Sequence, residues 1–296
     1  DMLVESWAGH LRVTKEIKYA IFLQACGAPE GGRFSQRSAL HVLIVGDPGT
    51  AKTMLLKAAI HIVNGSKYID ASNATQAGLT GACSQVEDLY TGKKRWAVIP
   101  GALALTHPEG VCSIDEYNLY KGDKGDLNNA LETGEVVISK IVKATLSTRC
   151  SVLAGANPSL GDRKKFDREI GTPYADQLGM DFPQLQRFDA IYTLEDIANE
   201  NKDQEIALSM LGHLVFSESD LELDFVQKYV AYTKQFDPTI TLEVATYMAK
   251  RHAQKRKDTA DSEYLHSHRQ VASMKRFAIS AARFDLSKTV EMRHVK

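Results

Sequence analysis

The chain has 296 residues, 44% hydrophobic and 25% charged, a balance that suits a folded core and excludes disordered, collagen-like and coiled-coil chains. At about 150 residues per domain, that length fits one large unit or two small ones. Thirty-six basic against 37 acidic side chains leave a net charge of −1, so total charge points to no partner. Apolar residues at helical spacing run from Glu16 to Cys26, and Gly27 to Ser38 reads as a polar, Gly-rich linker. Ala39-Leu-His-Val-Leu-Ile-Val45 is a short apolar run bounded by turn residues, the pattern of a buried parallel strand. Similar runs follow at Lys67–Asp70, Gly110–Ile114, Arg149–Ala154 and Asp189–Leu194, with helical patterns between them at Thr53–Val63 and Lys124–Leu131. Strands alternating with helices predict an α/β domain with a doubly wound parallel sheet.

After about Asn199 the pattern changes. Asp203–Phe216, Asp224–Phe236, Thr241–Lys257 and Arg269–Phe284 have helical periodicity and no strand run intervenes, so the expectation is an α/β domain over 1–198 and a helical domain over 199–296. From Ala245 onward 12 basic residues face 5 acidic ones, which leaves a basic end on an acidic body; the basic surplus reads first as a solvated helical face. No apolar stretch approaches the roughly 18 residues needed to cross a bilayer, and no basic-then-apolar leader is seen. A soluble, intracellular protein without a membrane partner is expected. The first residue is Asp1 rather than Met, as in an excised fragment. Cys26, Cys83, Cys112 and Cys150 form no C-x-x-C pair, so neither zinc nor a disulfide framework is expected and a reducing compartment fits.

Gly46-Asp-Pro-Gly-Thr-Ala-Lys-Thr53 follows one predicted strand and opens a predicted helix. Successive backbone N–H groups and a helix N-terminus converge there on anionic oxygens, with Lys52 as a point charge and the Thr53 hydroxyl available to Mg²⁺. Gly46, Asp47, Pro48, Gly49, Thr50, Ala51, Lys52 and Thr53 are thus the candidate ATP-binding residues. Ala51 stands where the general pattern has Gly, and its methyl group fits without strain only if φ stays negative. Sixty-three residues beyond Lys52, Gly110-Val-Cys-Ser-Ile-Asp-Glu116 is an apolar strand ending in adjacent carboxylates. Asp115 is placed in the Mg²⁺ shell with Thr53, and Glu116 is placed on the attacking water. An ATPase follows.

With these motifs placed, the chain from about Trp7 to its end resembles the minichromosome maintenance (MCM) family of AAA+ replicative helicases. Gly46–Lys57 looks like that family's Walker A, including the Ala before Lys, and Gly110–Glu116 its Walker B. Ala144-Thr-Leu-Ser-Thr-Arg-Cys-Ser-Val-Leu-Ala-Gly-Ala-Asn-Pro158 is similar to the strand entering its sensor-1 Asn, which puts Asn157 there; Leu185-Gln-Arg-Phe-Asp189 resembles the arginine-finger segment, with Arg187 as finger. Ser267-His-Arg-Gln270 reads as a capping box that starts a lid helix, and the family places its sensor-2 Arg, here Arg269, in such a segment. The resemblance implies an AAA+ P-loop NTPase with β-hairpin inserts and a helical lid. It also implies ATP and Mg²⁺ as ligands, a homo- or hetero-hexameric ring in which Arg187 and Arg269 act on the neighbour's nucleotide, and helicase activity on single-stranded DNA in replication. Nuclear localisation would go with a eukaryotic source, nucleoid with an archaeal one.

Thr133–Lys140 and Ile141–Thr148 resemble the pre-sensor-1 hairpin, with Lys140 at the tip position and Lys143 beside it; Gly78–Leu103 resembles the helix-2 insert, with Lys93, Lys94 and Arg95 available to phosphates. Departures from the family pattern are Tyr117-Asn-Leu-Tyr120 after Walker B, Gln186 in place of Ser before the finger, and Ile141-Val142-Lys143 at the hairpin tip. The family's N-terminal oligonucleotide-binding domain with its zinc motif and a full C-terminal winged helix lie outside the match, so the AAA+ core is what the resemblance covers. Lys255-Arg-Lys257 reads as a solvated helix end, and His266 and His268 as exposed loop residues. A chelatase-like remodeller of protein substrates and a nucleotide-gated scaffold are the alternatives, separated from a DNA motor by DNA-stimulated turnover.

Overall fold

A computed structural model describes residues 2–9, 11, 13–29, 37–87, 90, 92–139, 141–158, 174–194, 204, 207–208, 222–258 and 267–295. Helices α1 (Met2–Ser6) and α2 (Lys15–Cys26) lead into β1 (Val42–Gly46), α3 (Lys52–Ala59) and β2 (Lys67–Asp70). Helix α4 (Gln76–Leu79), the ribbon β3 (Gly81–Glu87) and β4 (Lys94–Pro100), α5 (Ala102–Leu105) and β5 (Val111–Asp115) follow. Next are α6 (Lys124–Thr133), a second ribbon β6 (Glu135–Ser139) and β7 (Lys143–Ser147), β8 (Ser151–Ala156), α7 (Tyr174–Leu178), α8 (Phe182–Leu185) and β9 (Ala190–Leu194). The last part comprises α9 (Leu223–Thr233), β10 (Thr239–Ile240), α10 (Leu242–Asp258), α11 (Arg269–Phe284) and β11 (Thr289–Val290).

Strands β2, β5, β8, β1 and β9 form, in that order, a parallel sheet. All five coincide with the apolar runs in the sequence to within three residues. The three central strands β5, β8 and β1 are buried at every residue because both faces are covered, while the edge strands β2 and β9 are only partly buried. Leu43 and Val45 of β1 join Cys112, Ile114, Val152 and Ala154 in one layer. Val42 and Ile44 point the other way, into Phe22 of α2, Leu55 and Leu56 of α3, and Phe284 of α11. Gly155 of β8 lets α3 lie close: a Cβ there would stand 2.8 Å from Leu56 Cδ1.

The helical part docks through α11. Phe284 packs against Phe22, Tyr19 and Tyr229, and the Arg283 guanidinium donates to the carbonyls of Phe236, Cys26 and Gly27. Two expectations are corrected here. The helix expected over Thr53–Val63 ends at Ala59, and residues 60–66 run on as turns with Gly65 at φ +81°. The expected absence of strands after Asn199 gives way to β10 and β11, a two-residue parallel pair whose brevity leaves no periodic signal. Of the expected helix Asp203–Phe216, only 204, 207 and 208 are described, and they are helical.

Two ribbons leave the sheet, β3 with β4 and β6 with β7, both antiparallel. They meet at their bases, where Gly81 (φ +118°) faces Leu146 so closely that a Cβ would stand 2.8 Å from its Cδ1.

Buried polar side chains fix the strand entries. The Gln24 amide donates to the carbonyls of Leu40 (2.9 Å) and Val152 (2.7 Å). His41 Nδ1 accepts from the Val152 N–H at 3.0 Å while Nε2 faces the Leu131 carbonyl at 3.0 Å, which assigns the neutral Nε2–H tautomer. Burial, with Arg37 adding to it, holds the His41 pKa well below 6.5. The unfolded chain therefore takes up a proton below pH 6.5 that the fold refuses. Stability is lost as pH falls, by about 1.4 kcal/mol per unit until the folded pKa is reached. Urea unfolding at pH 7.5 and 5.5 should show this acid-side loss in the wild type and a smaller one in His41→Gln.

Candidate active site

The C-terminal edge of the sheet gathers the phosphate loop and the carboxylate strand. Gly46 ends β1 against β9: a Cβ there would stand 2.7 Å from the Leu194 carbonyl oxygen. Thr50 Oγ1 donates to the Asp47 carbonyl at 2.7 Å, tightening the loop. Lys52 opens α3 with its ammonium turned into the loop, donating to the carbonyls of Gly46 (2.7 Å) and Asp47 (2.6 Å). Its burial lowers its pKa, with Asp115 and Asp47 opposing. Thr53 Oγ1 donates to Asp115 Oδ2 at 2.6 Å, joining two motifs 62 residues apart.

Tyr68 was not singled out from the sequence. Its hydroxyl donates to Asp115 Oδ2 at 3.2 Å, and burial with nearby Asp115 pushes its pKa up to about 12. No local pattern marks it, because the contact arises only once β2 pairs with β5 in register. Glu116 follows with φ +49°, ψ +40°, a left-handed conformation that turns the chain sharply out of β5. Asn157 follows β8, between the two motif strands. Its backbone carbonyl accepts from Asn118 Nδ2 at 3.0 Å, while its own Oδ1 is buried with no hydrogen-bond partner.

Ala51 overturns the expectation of negative φ. It sits at φ +60°, ψ +17°, next to Gly49 at φ +87°. The chain has to reverse between β1 and α3 within these few residues, and the reversal falls partly on an alanine.

The two candidate arginines lie at the other end of the sheet. Arg187 precedes β9, and the parallel pairing of Val42 with Ala190 and Gly46 with Leu194 puts it beside the start of β1. The Asp189 N–H donates to the His41 carbonyl at 2.7 Å. From His41 to Asp47 is six residues of extended chain, about 20 Å, so Arg187 is remote from its own phosphate loop. Arg187 and Arg269 both pair with Glu132 at the end of α6, Arg269 at 2.9 Å. Together with Arg37, Ser273 and Arg276 they line a cleft of about 140 Å³ that contains no phosphate-loop residue.

The capping box expected at Ser267 is absent. The N-cap of α11 is His268, without a side-chain cap bond, because the helix begins one residue later than that box requires. His268 is exposed as expected, yet its Nδ1 lies 3.1 Å from Nε2 of buried His252. Lys93 and Lys94 are exposed at the tip end of the first ribbon and Lys143 starts the second arm of the other. Lys140 and His266 lie outside the described residues.

Comparison with known proteins decides the family. The MCM P-loop domain matches residues 1–214 and the MCM AAA-lid domain residues 224–296. The chain belongs to the MCM family. It is 31% identical to the DNA replication licensing factor mcm-6 of Caenorhabditis briggsae over 99% of its length and 37% of that protein's. It is also 31% identical to mcm6 of Schizosaccharomyces pombe (90% of this chain, 30% of the relative). An uncharacterized MCM-type protein of Methanocaldococcus jannaschii is 30% identical (81% and 36%). The chain thus spans about a third of the length of these curated relatives.

Within this MCM fold, Tyr117-Asn-Leu-Tyr120 has a clear structural part. Tyr117 is buried edge-on against Phe188, 5.2 Å between centroids, and Asn118 ties the Asn157 backbone to the Leu178 carbonyl. The strain at Ala51 yields a test. Releasing a left-handed alanine is worth about 1–2 kcal/mol, against about 0.4–1 kcal/mol for the greater freedom of glycine in the unfolded chain. Ala51→Gly should therefore leave the urea midpoint equal or raised, whereas Ala51→Val should lower it.

Proposed function

We propose that this chain is the ATP-hydrolysing core of an MCM ring that moves along single-stranded DNA in replication, each nucleotide being bound by one subunit and completed by the next. Residues 1–198 act as the nucleotide-binding domain and 199–296 as the lid. The observation that carries the reading is the placement of Arg187 and Arg269 together on Glu132, at the sheet edge opposite their own phosphate loop. Arginines so placed reach only a nucleotide on another chain.

In the cis half, Gly46–Thr53 cradle the phosphates with loop N–H groups and the Lys52 ammonium. A hydroxyl and a carboxylate held 2.6 Å apart, Thr53 and Asp115, are oxygen donors that suit Mg²⁺. When bound, that ion would supply positive charge to the phosphate oxygens. Glu116 orients and polarises the attacking water, and the orphan Asn157 Oδ1 accepts one of its protons in a hydrogen bond. In the trans half, Arg187 and Arg269 leave Glu132 for the charge that spreads over the transferring phosphoryl group.

Lys93, Lys94 and Lys143 on the ribbons, together with Lys140, contact the DNA backbone without reading sequence. Each phosphate neutralised on a single strand then adds about −0.7 to the log–log salt slope. Such a motor works where the chromosome is, the nucleus in a eukaryote or the nucleoid in an archaeon.

ATP hydrolysis measured against protein concentration, with and without single-stranded DNA, tests the reading. Specific activity should rise with concentration and with DNA, and Glu116→Gln should abolish it. Arg187→Ala should lower it by about 10³ or more. Concentration-independent turnover, or full activity in Arg187→Ala, overturns the shared site. Turnover indifferent to DNA overturns the DNA motor in favour of protein remodelling.

A further inference from the structure

Two residues after Arg187, the Asp189 carboxylate is buried, with 1% of its side chain exposed, and both oxygens are saturated. Oδ2 accepts from Arg37 Nη2 and the His41 N–H, each at 2.8 Å. Oδ1 accepts from Ser273 Oγ at 2.5 Å and from Arg276 Nη2. Burial alone would raise its pKa; the flanking Arg37 and Arg276 guanidiniums outweigh that and hold it below the ordinary carboxylate range. Arg37 carries the connection further, donating to the carbonyls of Leu131 (2.8 Å) and Arg187 (3.1 Å), so the residue before Glu132 is held as well.

The donors on α11 are placed tellingly. Ser273 and Arg276 stand four and seven residues after Arg269 and so share its helix face. One buried carboxylate therefore grips the segment that carries Arg187, the helix that carries Arg269 and, through Arg37, the end of α6 that carries Glu132. An arginine side chain has many rotamers, and a finger works only if its guanidinium arrives in place.

We propose that Asp189 is a positioning residue that locks the lid helix to the finger segment, so that Arg187 and Arg269 are presented as one rigid pair to the neighbouring subunit's nucleotide. It acts through those arginines and touches no nucleotide itself. The inference rests on the shared-site reading above.

Mixing experiments separate the two. Glu116→Gln subunits cannot hydrolyse but present intact arginines; Arg187→Ala subunits hydrolyse only when a neighbour supplies the finger. Their mixture should recover activity, and if it does not, the shared site falls and this inference with it. Given that recovery, Asp189→Asn alone should lose about a hundredfold in kcat with ATP affinity unchanged, measured by fluorescent-nucleotide binding. It should recover activity when mixed with Glu116→Gln and none when mixed with Arg187→Ala. Wild-type turnover in Asp189→Asn, or rescue by Arg187→Ala instead, overturns the proposal. Should Asp189→Asn fail to fold, Ser273→Ala removes one bond from the same node and should show a smaller kcat loss with the same mixing pattern; without that pattern the proposal is overturned.

Discussion

Everything about the site depends on three strands running parallel side by side. Because β8 lies between β1 and β5, with Val45 opposite Ala156 and Ile114 opposite Ala154, their C-terminal ends stop at one edge. Gly46, Asp115 and Asn157 are thereby neighbours although more than a hundred residues separate the first from the last. Parallel pairing also sends each connection back over a face of the sheet, which covers both faces and keeps water from its main-chain hydrogen bonds. The 2.6 Å bond between Thr53 and Asp115 is a by-product of that register. The same register sends Arg187 and its partners to the other edge.

How much of this is legible in the chain follows from how local each signal is. The five strands are apolar runs with turn residues at both ends, so their existence shows directly. The two ribbons show through resemblance to the family's hairpin inserts rather than through any local pattern. The sign of φ at Ala51 is set by where the loop reverses, and nothing in the residue itself reports that. The helix expected over Arg269–Phe284 has those bounds, but its cap is His268, because Ser267 satisfies a local capping pattern that the packed helix does not use. Tyr68 looks like any apolar strand residue until β2 is laid beside β5. The node at Asp189 is the least legible part: its partners lie 84, 87 and 152 residues away, and each reads singly as a surface charge or hydroxyl.

The two edges also differ in how they treat charge. At the loop edge, Lys52 turns inward and Asn157 Oδ1 lacks a partner, so polar groups are held ready at a desolvation cost. At the arginine edge both oxygens of the buried carboxylate are satisfied, and removing either guanidinium would leave one oxygen short of its charged donor. Glu132 is intermediate, 43% exposed and shared by two cations, which suits a partner that is to be released. The first arrangement favours binding an anion; the second favours keeping one geometry.

The common base of the two ribbons has a mechanical meaning. Gly81 lets the two arms touch at their roots, where a Cβ would stand 2.8 Å from Leu146 Cδ1. That shared root leads through α5 into β5, which ends at Asp115, and directly into β8, which stops one residue before Asn157. The two ribbon roots and the edge that holds Gly46, Asp115 and Asn157 are thereby joined by continuous chain.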